Sequence, residues 1–124
     1  MTNPAIVNQK FLINCRDGAN NPERATVSFI MAVAASSTSE TAMFVTSDAA
    51  NLCVKGGADE IVADGYALLP DLINAYMENN GKIWLCPACA QAKGITQNDL
   101  IDGVEIAGAM RTMDFIANGA QLLA

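Results

Sequence analysis

The chain has 124 residues, 52% hydrophobic and 16% charged, enough apolar surface for one buried core and too much for disorder. Its net charge of −6 excludes the basic stripe that nucleic acids and anionic membranes attract, and the absence of histidine removes Ser-His and Cys-His catalysis and His-ligated metal. Residues 1 to 10 lack the basic start and apolar run of a secretory signal, and no apolar stretch nears the about 18 residues of a membrane span, so the expectation is a single cytoplasmic domain over residues 1–124 with four reduced cysteines.

Residues 10 to 15 (KFLINC) are apolar through their middle and predict a strand. After a loop over 17 to 21, Asn21 as N-cap, Pro22 at the first helical position and Glu23 in the first turn open a helix. Beyond Phe29 that helix is apolar nearly all round, which predicts burial on two sides, the second against a neighbouring subunit. Residues 41 to 46 predict a second strand, closed by Ser47-Asp48, with Asp48 capping a short helix over 49 to 54. Residues 58 to 67 read as a loop with a strand-like Ile61-Val62.

Leu69, Leu72, Ile73, Tyr76 and Met77 form one face of a helix that Asn79-Asn80-Gly81 stops. Residues 82 to 86 predict a third strand, and Pro87 opens a helix running to Lys93 and ending at Gly94. Thr96 to Asp99 form a capping box, residues 103 to 107 a fourth strand, and 121 to 124 a short final one. Between these last two, Met110, Met113, Phe115 and Ile116 predict a helix whose methionines serve as packing.

Strands and helices alternate, and the strands lack clean period-two patterning. Both features predict an α/β three-layer sandwich with a mostly parallel sheet of about five strands, buried on both faces. Ligands in such sheets gather at the carboxyl ends of the strands, where the strand order reverses. Cys15 and Cys86 end two strands, and an order starting 2-1-3 would make those strands neighbours.

Cys86-Pro87-Ala88-Cys89 follows a strand and opens a helix, where free N–H groups favour a thiolate. Lys93, on the same helix, adds positive charge, and Cys89 lies one turn on, placed to resolve an oxidised Cys86. Other readings stand beside this one. The motif is half of a zinc site if Cys15 and Cys53 complete it, although Cys53 has apolar helical neighbours. A thioredoxin-type dithiol would sit early in its domain with a later cis-proline, and no proline lies beyond this motif. The plainest reading is two small thiols packed at a strand-to-helix junction.

The run Ile83 to Thr96, followed by Asp99-Leu100-Ile101-Asp102-Gly103-Val104-Glu105, resembles the DsrE family of sulfur relay proteins, in its CxxC-containing subgroup. Asp17-Gly18 through Ala25 matches that family's first loop and helix start, and Ser47-Asp48 with Leu52 and Lys55-Gly56 its second strand-to-helix unit. The resemblance implies a parallel-sheet subunit in a homo-oligomer, a trimer or a hexamer. It also implies a sulfur carrier or sulfurtransferase-like role, with sulfane sulfur held as a persulfide at Cys86 between donor and acceptor proteins, and no cofactor. Cys89 is a departure from the single-cysteine carriers. Members without the cysteine are assembly subunits, so the alternative is a non-catalytic oligomeric binding or scaffold subunit. Arg24 is a further accessory candidate, as an anion contact at the rim or as a solvated first-turn charge, and Glu105 reads as a surface carboxylate.

Overall fold

The structure, a computed structural model, describes residues 9–123, so the expectations placed on residues 1 to 8 and on Ala124 lie outside it. The elements in chain order are β1 (Lys10–Cys15), α1 (Pro22–Ser36), β2 (Glu40–Val45) and a 3-10 segment (Ser47–Cys53). They continue with α2 (Leu69–Glu78), β3 (Lys82–Leu85), α3 (Pro87–Ala92), a 3-10 turn (Gln97–Asp99), β4 (Val104–Ile106), α4 (Ala109–Ala117) and β5 (Ala120–Leu123). The five strands make one sheet in the order β4-β3-β2-β1-β5, with every neighbouring pair parallel.

This order corrects the expectation that β1 and β3 are neighbours, because β2 lies between them. The chain steps one strand at a time from β1 to β4, then returns past β1 to lay down β5. Right-handed crossovers convert that path into layers. Steps in one direction put α1 and α2 on the same face, and the reverse step puts α4 on the other.

The packing follows this division. Phe29, Ile73 and Tyr76 from the helices meet Ile13, Met43 and Ile83 on one face. Leu12, Ala42 and Trp84 meet Phe115 and Ile116 of α4 on the other. Adjacent residues such as Leu12 and Ile13 point to opposite faces, and both faces are covered, which explains the absence of alternation.

Local signals act where expected at several ends. Arg24 N–H donates to the Asn21 side chain at 3.1 Å, and Thr96 and Asp99 complete their capping box. Asp48 does not cap: it lies in the first turn of the 3-10 segment, whose N-cap is Thr46, because the segment starts at Ser47 and not at residue 49. Ile61-Val62 is irregular chain just after a turn and forms no strand; Ile61 N–H donates to Ala58 O at 3.1 Å. Met110 and Met113 are not packing residues. They are 87% and 61% exposed, because α4 turns Thr112, Phe115 and Ile116 toward the sheet. On α1, Ala25, Phe29 and Ala32 are buried while Val27, Ile30 and Met31 remain exposed within this chain.

Tyr76 ties β2 and β3 together. Its hydroxyl lies 2.7 Å from Lys82 O and 3.2 Å from Thr41 O, its ring meets Phe29 edge-on at 6.1 Å, and burial raises its pKa above 10.0. Gly81 has no side chain because the Tyr76 ring occupies that space. Tyr76→Phe keeps the ring and removes the one donor shared by the buried Thr41 carbonyl and the part-buried Lys82 carbonyl, so it should cost about 1–3 kcal/mol. The measurement is the urea midpoint at unchanged slope, and an unmoved midpoint would show that the hydroxyl contributes nothing.

Candidate functional site

The carboxyl ends of the strands are joined by a stair of backbone hydrogen bonds. Thr46 N–H donates to Cys15 O, Cys86 N–H to Val45 O, and Ala107 N–H to Leu85 O, each at 3.0 Å. Cys86 therefore sits between the ends of β2 and β4, fixed by its own backbone. It is the N-cap of α3, and Ala90 N–H returns to its carbonyl at 3.0 Å. Pro87 carries no N–H, so the first free donors of the helix are those of Ala88 and Cys89.

Those donors govern the Cys86 thiol. Partial burial raises its pKa, but the Cys89 backbone N–H, the Cys89 thiol and the Ala88 N–H together outweigh that and hold it below the usual 9.0. Cys86 is half-buried, so a reagent can reach it. Lys93 ends the same helix, exposed and at the far end from Cys86; the groups that shift the thiol belong to Ala88 and Cys89.

Cys89 is also half-buried, and its sulfur accepts the Ser47 N–H at 3.3 Å. Ser47 stands at φ 55, a left-handed conformation that a non-glycine residue adopts at a cost of about 1–2 kcal/mol. Sequence reasoning missed this contact. Ser47-Asp48 reads only as the close of a strand, and nothing local marks a backbone donor 42 residues away from its acceptor.

The other two cysteines lie elsewhere. Cys15 is buried under α1, its thiol pushed up to about 11 by burial against the opposing pull of the Ser28 hydroxyl and the Asp17 backbone. Cys53 is buried in the same core and pushed up to about 12, by burial and then by Cys15 beside it. Among the described residues no three His, Cys, Asp or Glu side chains gather to hold a metal ion. The structure thus brings Cys86 and Cys89 together and keeps Cys15 two strands away. Arg24 lines a cleft at the end of β1, and Glu105 pairs with Arg111 at 2.8 Å on the surface. No helix among the described residues is long and apolar enough to cross a membrane.

Comparison with known proteins adds the family. The model of the DsrE/DsrF-like family matches residues 9–124. Over 112 residues the chain is 31% identical to a protein named Uncharacterized protein MJ0760 from Methanocaldococcus jannaschii, covering 90% of this chain but only 40% of that relative's length. Among solved structures, the ychN protein from E. coli has a TM-score of 0.76 at 23% identity, over 93% of this chain and 99% of that one. The protein of unknown function MTH1491 from Methanobacterium thermoautotrophicum has a TM-score of 0.62 at 14% identity, over 94% and 96%. At these identities the two structures show a shared fold.

Proposed function

Because the chain belongs to the DsrE/DsrF-like family, we propose that it is a sulfur carrier or sulfurtransferase-like protein in which Cys86 holds sulfane sulfur as a persulfide for intracellular relay. The observation that carries this reading is the contrast among the four thiols. Cys15 and Cys53 are buried and driven toward the protonated form, while Cys86 is reachable and favoured as the thiolate. The thiolate is the form that attacks sulfur.

In the loading step the Cys86 thiolate attacks the terminal sulfur of a donor persulfide. A new S–S bond forms at Cys86, the donor's S–S bond breaks, and its electron pair leaves on the donor thiolate. The N–H groups of Ala88 and Cys89 that favour the thiolate also suit the anionic persulfide. An acceptor protein's thiolate then takes the outer sulfur and returns Cys86 as a thiolate. Cys89 offers a second exit: its thiolate attacks the Cys86 sulfur, closes a Cys86–Cys89 disulfide and expels hydrosulfide, and an external dithiol resets the pair. This chemistry belongs in a reducing cytoplasm. The uncovered Val27, Ile30 and Met31 of α1 supply the surface for a homotrimer or hexamer.

The test is intact-mass measurement after incubation with a low-molecular-weight persulfide. One added sulfur is expected, removable by reductant, absent in Cys86→Ser and retained in Cys89→Ser. A folded protein that takes no sulfur would favour the non-catalytic scaffold reading instead.

A further inference from the structure

We propose that the cleft at the carboxyl end of β1 binds the tetrahedral oxoanion of a small molecule, a phosphate- or sulfate-type group, through Arg16 and Arg24. This site is separate from Cys86. The two strand ends are divided by β2, roughly 10 Å at ordinary strand spacing. The order also reverses at β1, since the chain leaves it toward β4 and returns on its other side as β5. Such a reversal is where open α/β sheets leave a crevice for ligands.

The crevice has a volume of about 400 Å³, within the range of small-molecule sites, and Asn14, Arg16, Arg24 and Ser28 are among its lining residues. Both arginines have anchored backbones. Arg16 O accepts from Ala49 N–H at 3.3 Å; Arg24 N–H donates to Asn21 and its carbonyl accepts the Ser28 hydroxyl at 3.0 Å. Two carboxylates, Asp17 and Glu23, share the cleft, yet neither pairs with a guanidinium. Asp17 Oδ1 accepts from the Asn20 amide at 2.8 Å, and Glu23 Oε2 accepts from the Tyr66 hydroxyl at 3.1 Å. Neutral donors thus engage the acids, while both guanidinium forks stay unpaired among the described residues.

The number of forks indicates the ligand class. One arginine satisfies both oxygens of a carboxylate. Two arginines on different elements are matched more fully by an anion with three or more oxygens, which a phosphate or sulfate group presents, than by the two oxygens of a carboxylate. The half-buried Asn14 side chain offers a further amide donor on the same cleft. The nearby carboxylates oppose the anion and keep the affinity modest. The net charge of −6 also repels free anions, so saturable binding reports this local arrangement and not the overall field.

The test is an amide chemical-shift titration of the full chain with inorganic phosphate, inorganic sulfate and a phosphate monoester, with acetate for comparison. Saturable one-to-one binding is expected, with shifts confined to residues 14–18 and 23–28. Arg16→Gln or Arg24→Gln should each weaken it about tenfold or more. Both side chains are exposed, so these variants should melt as the parent does. Lys55→Gln removes the same charge elsewhere and should bind as the parent does. Tighter binding of the monoester would identify the oxoanion as part of a larger molecule, and equal binding a free ion. No saturation in the millimolar range, acetate binding as tightly as phosphate, or equal weakening by Lys55→Gln would each overturn the assignment.

Discussion

Iodoacetamide at about pH 8 should label Cys86 before the other cysteines, and at least about 100-fold faster than Cys15 or Cys53. At that pH a thiol at about 11 is roughly one-thousandth thiolate, and one at about 12 roughly one ten-thousandth. Cys86, held below 9.0, exceeds roughly one-tenth. The lower basicity of its thiolate gives back about tenfold, because nucleophilicity falls with pKa. Burial restores the margin, since reagent reaches Cys15 and Cys53 only when the core opens. Cys89 is the closer competitor. It is half-buried like Cys86, but the Ser47 N–H occupies its sulfur at 3.3 Å.

Rate-resolved labelling with peptide mapping reads the order. Cys89 labelled first, at a rate that Cys86→Ser leaves unchanged, would make Cys89 the nucleophile and Cys86 its partner. The labelling rate of Cys86 should also reach half its plateau below pH 9, whereas those of the two core thiols should still be climbing well above it.

Raising the pH from about 9 to about 12 should remove a large part of the domain's stability. In the unfolded chain these thiols ionise near 9.0, but in the core Cys15 waits until about 11 and Cys53 until about 12. Between those limits the unfolded chain has shed protons that the folded chain keeps, so ionisation pulls toward unfolding. The stability is whole below pH 9 and is lost as pH rises through the two folded values. Cys15 contributes a loss of roughly 3 kcal/mol and Cys53 roughly 4 kcal/mol by pH 12, against about 5–15 kcal/mol for a typical domain. Tyr76 pulls the same way at the upper end, because burial raises it too.

Cys86 has the opposite sign. Its lowered value gives a contribution present above 9 and lost as pH falls through the folded value, and its partial exposure keeps that contribution small. Urea midpoints across the alkaline range measure the effect. Cys53→Ala should flatten the decline, whatever it costs at neutral pH. Equal midpoints at pH 8 and pH 11 would contradict the burial argument.

Much of the architecture and part of the site follow from the residues alone. Asn21-Pro22, Asn79-Asn80-Gly81 and the Thr96–Asp99 capping box mark their element ends because capping and turn chemistry act over about four residues. The CxxC motif is legible for the same reason, since its thiol and the N–H groups that tune it lie within one helical turn. What required the folded chain is whatever joins distant residues. Parallel pairing leaves no local mark, so the sequence could not say that β2 separates Cys15 from Cys86. Apolar periodicity shows that a helix has an apolar side but not how much of it the sheet covers, which is why Met110 and Met113 turn out exposed. The Ser47 donor to Cys89, and the meeting of Arg16 with Arg24 in one cleft, depend on where successive crossovers set the strand ends.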